Sequence, residues 1–101
     1  MAGRPRAYEI LGVDPGADPE AIQRAYRALV KIAHPDHAGE TPEVNARFLE
    51  IKAAYEILRD PERRAAHDRD PDHTLDEQLT LERRRASLRR RRRRLMRLYD
   101  R

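Results

Sequence analysis

The stretch Val30–Gly39, VKIAHPDHAG, ends one helical pattern and separates it from the next. His34 precedes a proline, whose ring disfavours the α conformation at the residue before it, so the incoming helix is predicted to end at about Ala33. Gly39 already supplies a flexible position for reversing the chain. The tripeptide His34-Pro35-Asp36 is therefore not needed simply to turn the chain, and it is our candidate functional motif.

On both sides of this stretch, apolar residues recur at the spacing of one helix face. The positions are Ile22, Tyr26, Leu29 and Ala33 before it, and Val44, Phe48, Ile51, Tyr55 and Leu58 after it. The two segments, about 19–33 and 42–58, are similar in length and joined by a short connection. They predict an antiparallel two-helix hairpin packed through these stripes. We expect Tyr8, Phe48 and Tyr55 to lie in the core.

Helix starts are marked by a capping side chain followed by proline and an acid. A cap oxygen accepts hydrogen bonds from the free N–H groups of the first turn, proline fits the first helical position, and an acid suits the positive end of the helix dipole. The triplets are Asp18-Pro19-Glu20, Thr41-Pro42-Glu43, Asp60-Pro61-Glu62 and Asp70-Pro71-Asp72. Short helices ending before Gly12 and spanning Pro61 to about Asp68 flank the hairpin, so the predicted fold is all-α.

Composition excludes several classes of protein. The 101 residues allow one small domain with an appendage, and the absence of cysteine excludes a disulfide framework, a zinc ribbon and a thiol nucleophile. No apolar run is long enough to span a bilayer and the N-terminus lacks a signal-peptide core, so we expect a cytoplasmic protein without a membrane partner. No catalytic set or phosphate-binding loop is present, so we expect neither an enzyme nor a cofactor.

The excess positive charge lies in the last third of the chain. Residues 1–72 hold 11 Lys and Arg against 14 Asp and Glu, whereas residues 73–101 hold 11 against 4, which together give the net charge of +4. Acids come early and arginines late in this tail, the polarity that a single long helix prefers. The run Arg89 to Arg94 covers every helix face, which argues against an amphipathic membrane helix.

Ordered motifs flank the tripeptide: YEILGV at 8–13, AYRAL at 25–29, AAYEIL at 53–58 and DPERR at 60–64, together with Phe48, Ile51 and Asp68. Over roughly residues 6–69 they resemble the J domain of DnaJ-type co-chaperones. A lone HPD arises by chance, whereas HPD set between two patterned helices with both flanking signatures is specific. The resemblance implies a J-domain fold over residues 5–69, followed by an arginine-rich helical tail over residues 70–101.

The resemblance also implies a partner and a mechanism. J domains dock on DnaK-type (heat shock protein 70) chaperones in the ATP state and stimulate ATP hydrolysis, while the J domain itself catalyses nothing. By this resemblance, Asp36 offers a carboxylate to a basic group of the chaperone, and His34 and Pro35 hold it at the correct angle. The resemblance also implies that helix two, the segment of about residues 19–33, faces an acidic chaperone surface through Arg24, Tyr26, Arg27 and Lys31.

The sequence departs from the family pattern in several places. In helix two, Gln23 and Ala28 occupy positions that are often Lys or Arg. His37 stands where Lys or Arg commonly follows HPD, Ala33 where an aromatic is usual, and His67 where the fourth helix usually has Tyr. We expect these differences to leave the fold intact and to bear on how strongly the chain couples to its chaperone.

Interpretations without a chaperone partner stay open for the motif and for helix two. His34, Asp36 and His37 carry groups that can bind zinc, although they are crowded into one turn without an obvious fourth ligand. The turn could also be purely structural, and the cations of helix two could be only a solvated face. We therefore expect no metal site.

Two interpretations compete for the tail. Arginines neutralise phosphates, so the tail could bind RNA, DNA or the ribosome through Arg89, Arg90, Arg91, Arg92, Arg93 and Arg94. Alternatively, it is a solvated extension without a ligand. The alternative to a co-chaperone is thus a nucleic-acid-binding protein that keeps the J fold as a scaffold. In either case we expect a monomer.

Overall fold

The computed structural model describes residues 5–100, which form six helices and no strand. The helices are α1 (Arg6–Leu11), α2 (Pro19–Ala33), α3 (Pro35–Ala38), α4 (Pro42–Leu58), α5 (Pro61–Arg69) and α6 (Pro71–Tyr99). The predicted all-α fold is confirmed, and so are the limits of the two hairpin helices. Only α3, a single turn within the connection, was not predicted.

The four predicted helix starts are confirmed at the level of hydrogen bonds. At each, the capping side chain accepts from a backbone N–H of the first turn, and proline occupies the start of the helix, as in the capping rules that predicted it. The caps are Asp18, Thr41, Asp60 and Asp70. At the other end of α1, Gly12 adopts a φ of 70°, a left-handed conformation that closes the helix with little strain.

α4 is the central helix, since α1, α2, α5 and α6 all pack against it. The buried apolar side chains are Ala7, Tyr8, Leu11, Ile22, Ile51, Ala53, Ala54, Ile57, Leu58 and Leu75. Of the three aromatic residues expected in the core, Tyr8 is fully buried, whereas Phe48 and Tyr55 are only partly covered. Of these two, Phe48 leaves aromatic surface near the connection between α2 and α4, where the candidate motif lies, whereas Tyr55 stacks on Tyr26 further along the hairpin.

α5 is tied to α1 and to the loop after it by polar side chains. The Arg64 guanidinium donates to the Tyr8 hydroxyl at 2.9 Å and to the carbonyl oxygens of Pro15 and Ala17 at 2.9 and 2.8 Å. The Tyr8 hydroxyl donates in turn to Asp68. Buried His67 accepts from the Ala7 N–H through Nε2. The histidine that departs from the family pattern is therefore part of the core.

The predicted C-terminal helical extension is confirmed, but its first turns belong to the bundle. Leu75 is 1% exposed and Glu82 is 1% exposed, and Thr74 and Gln78 are also buried. Arg63 of α5 donates to the Gln78 side chain at 2.6 Å. Beyond residue 86, every side chain up to residue 100 is exposed. α6 is thus anchored by its first half and solvated along its second, in a molecule 55 Å long.

Candidate functional site

The HPD motif folds into a short helical turn that His34 caps. His34 has extended backbone angles (φ −63°, ψ 134°), which end α2 and begin α3. Its Nδ1 accepts a hydrogen bond from the Asp36 backbone N–H at 3.1 Å. Its carbonyl oxygen accepts from the N–H groups of His37 and Ala38. The backbone of residue 36 is therefore fixed both by the side chain and by the carbonyl of residue 34.

The same hydrogen bond indicates which ring nitrogen of His34 acts as an acceptor and so which tautomer the contact requires. A ring nitrogen that accepts from an N–H carries no proton, so the proton lies on Nε2. Nδ1 also lies 3.6 Å from a carboxylate oxygen of Asp36. With Nδ1 occupied as an acceptor, this approach is not an ion pair. The imidazole thus orients the Asp36 backbone without neutralising the Asp36 side chain.

The His34 ring also rests on the first half of α4. Its centroid lies 4.9 Å from that of the Phe48 ring, with the planes at 62°, an edge-to-face arrangement. Because Phe48 is held on a 17-residue helix, this contact fixes the turn relative to the bundle. Sequence reasoning placed Phe48 in the core, and the structure shows instead that it supports the motif.

Asp36 is presented to solvent. Its side chain is 83% exposed, and among residues 5–100 no lysine or arginine forms an ion pair with it. Pro35 occupies the first position of α3 and directs the chain into the turn. The three motif residues are thus brought together as a capped turn that displays one free carboxylate.

The four residues predicted on α2 do not share one face. Arg24, Arg27 and Lys31 are exposed, lie three and four positions apart, and make no ion pair within the described part of the chain. Tyr26 points towards α4, where its ring stacks on Tyr55 with centroids 3.9 Å apart and planes at 5°. Burial raises the pKa of Tyr26 above its ordinary value. The cations form an outer surface, whereas Tyr26 belongs to the hairpin seam.

A cleft of about 390 Å³ lies beside the HPD turn, and sequence reasoning missed it. One wall is the turn with Glu40, the floor comes from α4, and the other wall is α6. The lining residues of α6 are Ala86, Arg89, Arg90, Arg92 and Arg93. A signal for this placement exists in the sequence, because Leu75, Leu79, Glu82 and Ala86 continue one helix face into the arginine run.

The structure gives no support to a metal site at the motif. No group of three or more potential ligands comes together within residues 5–100. The rings of His34 and His37 lie 6.3 Å apart in an edge arrangement. Among the helices of the same described range, none has the length and apolar character that crossing a membrane requires.

Comparison with known proteins places this fold and motif in a family. The family model of the DnaJ domain matches residues 6–68. Chaperone protein DnaJ of Acetivibrio thermocellus is 50% identical over 68 residues, which cover 67% of this chain and 18% of that protein. Chaperone protein DnaJ of Thermotoga maritima is 54% identical over 63 residues, 61% of this chain and 17% of that protein.

The matched region is confined to the bundle. Chaperone protein DnaJ of Bdellovibrio bacteriovorus is 46% identical over 69 residues, 68% of this chain and 19% of that protein. The chain therefore spans less than a fifth of the length of these curated relatives. The match covers α1 to α5, the helices that build and support the HPD turn, and it ends before α6. By this match the chain belongs to the DnaJ domain family.

Proposed function

We propose that this chain is a co-chaperone that docks on a DnaK-type (heat shock protein 70) chaperone in its ATP state and stimulates ATP hydrolysis. The observation that carries the proposal is the Asp36 carboxylate, which is 83% exposed, held by a capped turn and unpaired with any lysine or arginine of residues 5–100. The names of the DnaJ relatives support the same partner. Hydrolysis is carried out by the chaperone, and this chain contributes no catalytic group to it.

The geometry suits recognition of a basic group. A carboxylate fixed before docking loses less conformational entropy on binding than one on a mobile loop. His34 provides that rigidity twice, through its hydrogen bond to the Asp36 N–H and through its contact with Phe48. The exposed cations of α2, Arg24, Arg27 and Lys31, would orient the encounter with an acidic chaperone surface. Such charge complementarity acts mainly on the association rate and weakens with salt.

A single-turnover ATPase assay with a DnaK-type chaperone tests this function. The chain should accelerate hydrolysis of prebound ATP, and Asp36→Asn should not, because the amide keeps the shape of the side chain and removes its charge. The Asp36 side chain is exposed, so the variant should unfold at the same denaturant concentration as the parent chain. If both proteins are equally inert, the co-chaperone function is wrong.

A second candidate function is supported by the outer half of α6. The side chains of Arg89 to Arg94 are all exposed, and none forms an ion pair or a hydrogen bond with residues 5–100. Free guanidinium groups on a helical rod suit the phosphates of RNA or DNA, including ribosomal RNA.

Location in the cytoplasm and a monomeric state also stay predictions, to be checked by cell fractionation and size-exclusion chromatography.

Retention on immobilised RNA across a salt series tests the nucleic-acid function. The parent chain should be retained at low salt and released steeply as salt rises. A variant with all six of Arg89 to Arg94 changed to Gln should lose this retention and stay folded, since these side chains are exposed. Equal retention of the two proteins would rule out the arginine run as a nucleic-acid site.

A further inference from the structure

We infer that the arginine wall of the cleft is a second part of the chaperone-docking surface, which binds acidic side chains of the same chaperone that engages Asp36. The inference rests on the proposed co-chaperone function and adds a contact outside the matched DnaJ region, which ends at residue 68. Four arginines of α6 line the cleft, and the cleft arginines are defined as the three of them that share the helix face of Ala86, namely Arg89, Arg90 and Arg93.

The direction of the cleft arginines is fixed by the buried half of α6. Leu75 and Glu82, both 1% exposed, lie on the same helix face as Ala86, Arg90 and Arg93. Because the first half of the helix is locked in the bundle, the helix cannot rotate about its axis without exposing Leu75. The cleft arginines therefore face the HPD turn as a consequence of packing, although their own side chains are solvated.

The charges across the cleft are unpaired. Asp36 and Glu40 lie on one wall and the cleft arginines on the other, yet no ion pair joins the two walls among the described residues. The volume of about 390 Å³ is large enough to admit partner side chains between them. Both sets of charges are thus open to an incoming surface.

The mixed charge of the cleft selects the kind of partner. Inside the cleft, a uniformly anionic ligand such as a nucleic-acid backbone would be repelled by Asp36 and Glu40. A protein surface that places a basic group against Asp36 and acidic groups against the cleft arginines satisfies both walls. That is the charge pattern of a chaperone surface already proposed to receive the Asp36 carboxylate.

The position of the cleft arginines also adds positive charge beside a helix, α2, that carries few basic residues. Gln23 and Ala28 are exposed there, at positions where the resembled family often has Lys or Arg. The cleft arginines supply cationic charge on the other helix that borders the motif. A docking chaperone would then contact Asp36 between two basic surfaces, one from α2 and one from α6.

The experiment compares two triple variants that lower the net charge equally. The test variant is Arg89→Gln/Arg90→Gln/Arg93→Gln. The control is Arg84→Gln/Arg91→Gln/Arg94→Gln, which changes exposed arginines of α6 that do not line the cleft. The readout is the concentration of each variant that gives half-maximal stimulation of a DnaK-type ATPase, at low and at physiological ionic strength, with urea unfolding to confirm equal stability.

We expect the test variant to need about tenfold more protein than the parent at low ionic strength, and the control less than about threefold more. The difference should shrink as salt rises. Equal shifts in the two variants would overturn the inference, and so would stronger stimulation by the test variant, which would mean that the arginines shield Asp36. In both cases a stimulating parent chain and an inert Asp36→Asn variant would leave the proposed function standing. A parent chain that does not stimulate the ATPase would contradict both the inference and the proposed co-chaperone function.

Discussion

The His34 side chain makes two different interactions, one through Nδ1 and one through the face and edge of its ring, and mutation can separate their effects. Its Nδ1 accepts from the Asp36 N–H, and its ring packs against Phe48. The first interaction is a local helix cap that other polar residues can provide. The second needs a ring that reaches α4. The orientation of the Asp36 carboxylate depends on both, because one fixes the turn internally and the other fixes the turn relative to the bundle.

Replacing His34 by Ala or Asn tests this division. His34→Ala should lower the free energy of unfolding by about 1 kcal/mol, the usual effect of losing a cap. His34→Asn should recover most of that stability, because an Asn side chain also caps. Both variants should stimulate a DnaK-type ATPase weakly, since neither has the ring. Urea unfolding and the ATPase assay measure the two effects. Full stimulation by His34→Asn would show that the Phe48 contact is not needed.

The buried carboxylate of Glu82 is a feature of a single residue that sequence patterns did not predict. By sequence it is an early acid of a solvated tail, yet it is 1% exposed. One of its oxygens accepts from Arg85 at 3.0 Å, and the other has no hydrogen-bond partner among residues 5–100. Its burial follows from the surfaces of neighbouring helices rather than from its own polarity.

At the scale of the helices, local sequence signals were sufficient to predict where a helix begins or ends wherever a capping residue or a proline marks that end. Asp18 and Thr41 begin α2 and α4, and the proline after His34 ends α2. The capped α3 turn and the cleft were not predictable in the same way, because they depend on contacts between distant segments. The packing of α6 had a weak signal in Leu75 and Leu79, which the many charged residues of this segment obscured.

The packing of α6 predicts unequal effects for two leucines of the same helix. Leu75 is 1% exposed within the core, whereas Leu88 is 59% exposed. Leu75→Ala should lower the free energy of unfolding by about 2–5 kcal/mol, because it removes buried apolar surface and leaves a cavity. Leu88→Ala should change it by less than about 0.5 kcal/mol. Equal effects in urea unfolding would mean that α6 does not pack on the bundle in solution.

The same packing decides how the chain can be shortened. Ending it after residue 72 would remove Leu75, Gln78 and Glu82 from the buried interior. Ending it after residue 87 would remove the arginine run and keep every buried residue of α6. Deletions intended to isolate the arginines should therefore stop there, since a shorter chain would lose stability together with charge.

At the scale of the whole molecule, stability should respond to alkaline pH through two phenols, that of buried Tyr8 and that of half-buried Tyr26. The pKa values of Tyr8 and Tyr26 are both raised above 10.0, chiefly by burial. For Tyr8, the hydrogen bond from Arg64 lowers the pKa and the bond to Asp68 raises it. For Tyr26, the nearby carboxylates of Glu56 and Glu82 add to the effect of burial.

A phenol whose pKa is higher in the folded state than in the unfolded state favours folding only while it stays protonated. Its contribution to stability is complete below pH 10. The contribution is lost as the pH rises from the pKa of the unfolded state through the pKa of the folded state, because in that range the unfolded chain binds fewer protons than the folded chain. The free energy of unfolding should therefore fall above pH 10, and Tyr26→Phe should make that fall shallower. Denaturant unfolding over a pH series measures the slope, with Tyr99→Phe, which removes a tyrosine that is 85% exposed, as the control. A slope in Tyr26→Phe as steep as in the parent chain would contradict a half-buried, protonated Tyr26 in the hairpin seam.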